Sequence, residues 1–184
     1  MMTRKAAPLT TEANMTTDHT HAIVGDKSVT IRPIQAADSI MENEFVRNLS
    51  ARTKHYRFFG AVKELSPADL KRLCDVDGRH CMAFVATVNE SGHETEIGVS
   101  RYADSPGDGA GELAITVADA WQHTGLDRLL LKQLITYAKA HGMKQLYSVE
   151  LADNTAMRKL AGEFGMSVGR DPDDPSQVIY SVML

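Results

Sequence analysis

Two features of this chain could do chemistry together: an acidic residue that opens an apolar strand, and a glycine-bearing loop that follows the strand. Glu112 heads the run Leu113 to Val117. The segment Trp121-Gln122-His123-Thr124-Gly125-Leu126-Asp127-Arg128 comes next, ahead of a leucine-rich stretch. A strand that turns through such a loop into a helix leaves several backbone N–H groups aimed at one point, at the positive end of the helix dipole. That point suits a phosphate, and Gly125 lets the main chain approach it closely. Asp127 works against this, because a carboxylate a few ångströms from a phosphate is repelled by about 1 kcal/mol in water and by more in a drier site. An aspartate in the first turn nevertheless favours the helix itself. Arg128 stands next to it and is expected to offset the charge. Glu112 is of a type that takes a proton from a reacting group. A carboxylate at a strand start is as often a solvated surface group, so the residues alone leave both readings open.

The elements that must hold these residues follow from periodicity. Val29, Ile31 and Ile34 predict a first strand from about Ser28, closed by Arg32-Pro33; Asp38 is expected to cap a helix over Ser39–Leu49. Ser66-Pro67 opens a short helix to about Asp75, with serine as cap and proline in the first turn. Cys81–Val88 reads as a buried central strand, and turns at Asn89–Gly92 and Pro106–Gly109 lead to strands over Glu94–Tyr102 and Glu112–Val117. Leu126, Leu129, Leu130, Leu134, Tyr137 and Ala138 give one apolar face to a helix over Gly125–Ala140, ended by His141-Gly142. Gln145–Leu151 is another strand, Asn154 caps a helix to about Glu163, and Met166–Gly169 and Gln177–Met183 complete a sheet. The acidic loop Asp171–Pro175 separates the last two. The strand–helix–strand unit around residues 113–151 predicts one right-handed parallel crossover. Residues 1–26, rich in Thr, Ala and His without a period, read as a disordered leader, and 27–184 as one domain.

Composition narrows the class. The chain has 184 residues, 43% hydrophobic and 24% charged, which fits one globular α/β domain with a real core. A net charge of −4 without like-charge blocks argues against nucleic acid or anionic lipid as partners. No apolar run reaches the roughly 18 residues needed to span a membrane. Cys74 and Cys81 are the only cysteines; they make neither a disulfide framework nor a zinc site, and His19 and His21 add too few ligands for a metal. The setting read from this is reducing and cytoplasmic. The oligomeric state is left open, a homodimer included.

Three stretches resemble the GNAT acyltransferases. Ile31-Arg32-Pro33 looks like their opening strand, Gln122-His123-Thr124-Gly125-Leu126-Asp127 like their Gln-x-x-Gly-x-[Gly/Ala] loop, and Asn154 through Met166 like their fourth helix. Asp127 departs from the pattern. The element order over residues 28–184, β-α-α-β-β-β-α-β-α-β-β, is also that of the family. A narrower likeness, in Tyr56-Arg57-Phe58-Phe59, Leu65–Leu70 and Met82–Ala86, is to the catalytic domain of bacterial Pat-type protein lysine acetyltransferases.

The resemblance implies a GNAT fold, with a mixed, mostly antiparallel central sheet flanked by about four helices. It implies acetyl-CoA as cosubstrate, without a metal. The pyrophosphate would lie on Gln122, His123, Thr124, Gly125, Leu126, Asp127 and Arg128, and the main chain of Ile115 and Val117 would pair with the pantetheine arm as an added strand does. Asn154 would touch that arm while capping its helix. Glu112 would be the general base for an amine acceptor, a protein lysine first and a small amine second. Many relatives carry a tyrosine at the position of Ala161 to protonate the leaving thiolate; Pat-like sequences have a small residue there. The aromatic run Tyr56–Phe59 is expected to pack on the core rather than line the acceptor site. Asp127 and the missing tyrosine motivate a second reading, a CoA-binding module without catalysis.

Overall fold

The computed structural model describes residues 19–60, 62–105 and 109–184. Most of the expected leader, residues 1–18, and Pro106, Gly107 and Asp108 of the expected turn lie outside the described residues.

The sheet has eight strands in the order β1-β2-β3-β4-β5-β6-β8-β7. Strand β1 (Thr20–Val24) corrects the leader reading: it pairs antiparallel with β2 (Lys27–Pro33) and buries Thr20, Ala22 and Val24 alternately. Its first residue is tied down as well, since the Thr20 hydroxyl donates to Gln133 Oε1 at 2.9 Å. β3 (Cys81–Glu90), β4 (His93–Asp104) and β5 (Ala110–Val117) continue the antiparallel order. β6 (Gln145–Leu151) joins β5 in parallel, and β8 (Gln177–Met183) separates it from the edge strand β7 (Ser167–Arg170).

β3 is buried on both faces, and its alternation divides the core in two. Met82, Phe84 and Ala86 pack with α4 (Leu126–Ala140) and α5 (Thr155–Glu163), whereas Ala83 and Val85 pack with α1 (Ser39–Asn48) and α3 (Pro67–Cys74). Leu126, Leu130, Leu131, Leu134 and Ala138 make up the fully buried face of α4. This helix lies close on the sheet at Gly98, where an added Cβ would stand 3.0 Å from Leu130 Cδ1.

Among the described residues five α-helices flank the sheet; the one beyond expectation is α2 (Ala51–Phe58). Leu49 is extended and breaks α1, and the Ser50 side chain then accepts the Thr53 N–H at 3.2 Å and starts a new helix. Asp38 does not cap α1 as expected. Its carboxylate takes the Arg32 guanidinium at 2.7 and 2.9 Å and the Gln35 N–H at 2.8 Å.

Candidate active site

The parallel ladder between β5 and β6 is short. It runs from Ala110↔Gln145 to Glu112↔Tyr147 and stops. Beyond it the strands part, and a cleft of about 380 Å³ opens between Glu112–Val117 on one side and Ser148, Val149 and Glu150 on the other. α2 supplies Arg52, Thr53, Tyr56 and Arg57 to its wall, and Asn154 and Met157 close the α5 side.

On β5 the Ala118 N–H donates to Ile97 of β4 at 2.9 Å. By alternation, the main-chain groups of Ala114 and Thr116 also face β4, and those of Ile115 and Val117 face the side that β6 has left. Glu112 stands where the strands part, exposed to the cleft and without a protein hydrogen bond among the described residues.

The loop after β5 is built on two left-handed residues, His123 (φ 63) and Gly125 (φ 87). Within it, no acceptor among the described residues meets the amides of His123, Thr124, Gly125, Leu126 or Asp127. Unmet amides at the start of a fifteen-residue helix suit an anion. The Thr124 hydroxyl donates to the Trp121 carbonyl at 2.6 Å, and the Leu126 side chain is wholly buried, so both can offer only main chain. Glu112, Ile115, Val117, Gln122, His123, Asp127 and Asn154 line the cleft, while Thr124, Gly125, Leu126 and Arg128 stand outside its wall.

Asp127 occupies part of this amide cluster with its own carboxylate: Oδ1 accepts the Arg128 N–H at 3.0 Å. Arg128 offsets it only weakly, because its hydrogen bonds go elsewhere. Its guanidinium binds Glu163 of α5 through both Nε and Nη2, the latter at 2.7 Å, because the first turn of α4 runs beside the end of α5. Asn154 does cap α5, its Oδ1 accepting the Met157 N–H at 3.1 Å.

Several residues of this region were not singled out in the sequence. Asp119 accepts from the Ser50 N–H (2.8 Å), the Ser50 hydroxyl (2.6 Å) and the Thr53 hydroxyl (2.7 Å), and so binds α2 to the phosphate-type loop. Gln122 joins this network by donating to Thr53 Oγ1 at 3.1 Å. Glu150 and Ser148 come from β6, and no local motif marks them; Arg57 comes from α2, within the aromatic run expected to pack on the core. The aromatic run is divided: Phe58 packs on the α1–α3 core, while Tyr56, Arg57 and Phe59 line the cleft.

Cys74 is buried, which pushes its thiol up to about 12 and leaves no nucleophile at neutral pH. His80 is exposed, its Nδ1 2.8 Å from Asp77 Oδ2. Among the described residues no three His, Cys, Asp or Glu side chains gather to hold a metal ion. None of the described helices is long and apolar enough to cross a membrane.

Comparison with known proteins places this geometry. The acetyltransferase (GNAT) domain model matches residues 28–167. This chain belongs to the GNAT acetyltransferase family. Its similarity to Acetyltransferase PA5475 of Pseudomonas aeruginosa is 46% identity over 158 residues, covering 86% of this chain and 85% of that one. The GNAT domain of S. lividans PAT has the same fold, with a TM-score of 0.81, 24% identity, and coverage of 90% and 97%. A cAMP-binding acyltransferase from Mycobacterium smegmatis superposes with a TM-score of 0.60 and 25% identity over 90% of this chain and 46% of that one. GNAT acetyltransferases take acetyl-CoA as cosubstrate and an amine-bearing acceptor, and this chain is a GNAT N-acetyltransferase. The cleft and the unmet amides of its loop suit the pantetheine arm and diphosphate of that cosubstrate.

Proposed function

We propose that this GNAT domain transfers the acetyl group of acetyl-CoA to a primary amine, with a protein lysine side chain as the foremost acceptor, in the cytoplasm. The observation that carries the reading is Glu112, an unengaged carboxylate where β5 and β6 part, on the strand that leads into the amide-rich loop. A lysine amine is protonated near pH 7, and only its neutral form attacks a thioester. Glu112 takes the ammonium proton, directly or through a water. The freed nitrogen then bonds to the thioester carbonyl carbon, the carbon–sulfur bond breaks, CoA leaves as thiolate, and the second proton that the nitrogen sheds passes to that thiolate or to solvent. Thiolate is a tolerable leaving group without a dedicated acid, which agrees with buried Ala161 standing where a tyrosine would be.

The loop amides of residues 123–127 would hold the diphosphate, and the main chain of Ile115 and Val117 the pantetheine arm. Asn154 would reach that arm from the start of α5. A panel of lysine peptides and small amines, assayed for free CoA thiol, tests the reading. Thiol release with acetylated amine is expected. No release across the panel, with acetyl-CoA shown by calorimetry to bind, would favour a CoA-binding module without catalysis.

A further inference from the structure

A second carboxylate lies in the same cleft. Glu150 lines it from β6, whereas Glu112 lines it from β5. Its two oxygens are held separately: Ser148 Oγ donates to Oε1 at 2.6 Å and Asn154 Nδ2 to Oε2 at 2.9 Å. Asn154 has no freedom to turn its amide over, because its Oδ1 is committed to the Met157 N–H at the start of α5. Ser148 is itself fully buried. The carboxylate of Glu150 is therefore fixed by a helix cap and a buried hydroxyl.

The charges around it are few. Arg57, from α2, faces the cleft; its guanidinium lies 5.0 Å from the Phe58 ring centroid and makes no hydrogen bond or ion pair among the described residues. Four carboxylates (Glu112, Asp119, Asp127 and Glu150) and two guanidinia (Arg52 and Arg57) line the cleft, so its wall carries negative charge in excess. A cation is the complement of that wall.

Resting on the acyl-transfer reading above, we propose that Glu150 selects a cationic primary amine as the acceptor: its carboxylate, held by Ser148 and Asn154, receives the ammonium group beside Glu112. The proton then leaves to Glu112, and the neutral nitrogen attacks as already described. A neutral or anionic acceptor finds no such complement and would leave a carboxylate in the cleft unpaired. Burial first of all, with some repulsion from Glu112, raises Glu150 above the ordinary carboxylate range, against the opposing hydrogen bonds of Ser148 and Asn154 and the attraction of Arg57. An arriving ammonium favours the ionised form, so amine binding should draw a proton off Glu150 and weaken as pH falls through its raised value.

The test is steady-state kinetics of the full chain with Nα-acetyl-lysine amide as acceptor, at saturating acetyl-CoA, between about pH 6 and 10. Glu150→Gln keeps the local network, since a glutamine can accept from Asn154 and donate to Ser148 Oγ. KM for the amine should rise by about tenfold or more, with the loss falling on KM rather than on kcat and with the affinity for acetyl-CoA unchanged. Ser148→Ala should raise KM by about threefold, having lost one of the two donors. An amine KM equal to wild type in Glu150→Gln, at every pH, overturns the proposal. If the wild-type chain acetylates no amine, the acyl-transfer reading fails, and equilibrium titration with the same lysine amide then decides the role of Glu150. Binding by wild type that is lost in Glu150→Gln upholds it; equal binding, or none by wild type, overturns it.

Discussion

At the scale of single residues, the loop sets a carboxylate against an amide cluster. The Asp127 side chain takes the Arg128 N–H, one of the first-turn donors that a phosphate would otherwise share, and the Arg128 charge is spent on Glu163. Only a weak attraction from Arg128 remains for Asp127. Asp127→Ala should therefore tighten acetyl-CoA by about three- to tenfold, roughly 1 kcal/mol, by calorimetry. Affinity that stays the same or weakens would mean that Asp127 serves the helix more than it hinders the ligand. Glu112 and Gly125 were legible in the sequence because strand, loop and helix are contiguous there, so local periodicity places them. Glu150 was not, and Arg57 stood out only as part of an aromatic run expected to pack on the core. They reach the cleft only because β6 leaves β5 after three residue pairs and α2 lies over the gap, and neither fact has a local signature.

At the scale of elements, α2 is held to the loop by Asp119. Its carboxylate accepts three hydrogen bonds from Ser50 and Thr53, which lie 69 and 66 residues earlier in the chain. Partial burial works to raise Asp119, and these bonds together outweigh it and hold the group below the ordinary carboxylate value. A depressed carboxylate contributes fully above its unfolded value of 3.8 and loses that contribution as pH falls through its lower folded value. At neutral pH the tie is complete. Asp119→Ala should cost about 1 kcal/mol in chemical denaturation and raise KM for acetyl-CoA, since α2 and the loop would no longer be fixed to one another. Unchanged KM together with unchanged hydrogen exchange in α2 would show that the tie positions nothing. α2 itself escaped the sequence reading because its residues carry no apolar period; it forms after Ser50 caps it, and its Tyr56 and Arg57, with Phe59 just past its end, line the cleft. β1 escaped for a similar reason. Its inward residues include the polar Thr20, which is buried only because Gln133 of α4 supplies an acceptor.

At the scale of the whole molecule, the buried central strand and the long apolar-faced helix follow from the sequence pattern, as the runs Cys81–Val88 and Leu126–Ala138 show. What the pattern hides is a set of charges beneath α1. Glu42 and Glu96 are both buried; Arg101 donates to Glu42 Oε1 at 3.0 Å, and neither oxygen of Glu96 meets a donor. Burial first, then the nearby Glu42, raises Glu96 well above the ordinary 4.5. The folded chain therefore keeps a proton that the unfolded chain releases above 4.5. Stability falls as pH rises from there toward the folded value, by on the order of 1 kcal/mol per pH unit. Glu96→Gln removes that slope, and denaturation at pH 5 and pH 8 should show a gain for the variant that is larger at pH 8. An equal effect at both would place the ionisation elsewhere.

In the proposed reaction, main chain and loop amides would hold acetyl-CoA, and Glu112 alone would take the proton. Glu112→Gln separates the two most directly, through acetyl-CoA affinity by calorimetry and kcat for a lysine amine on the same preparation. Affinity within about twofold of wild type and kcat lower by about 100-fold or more are predicted. A variant that binds acetyl-CoA and turns over as wild type does would contradict the account.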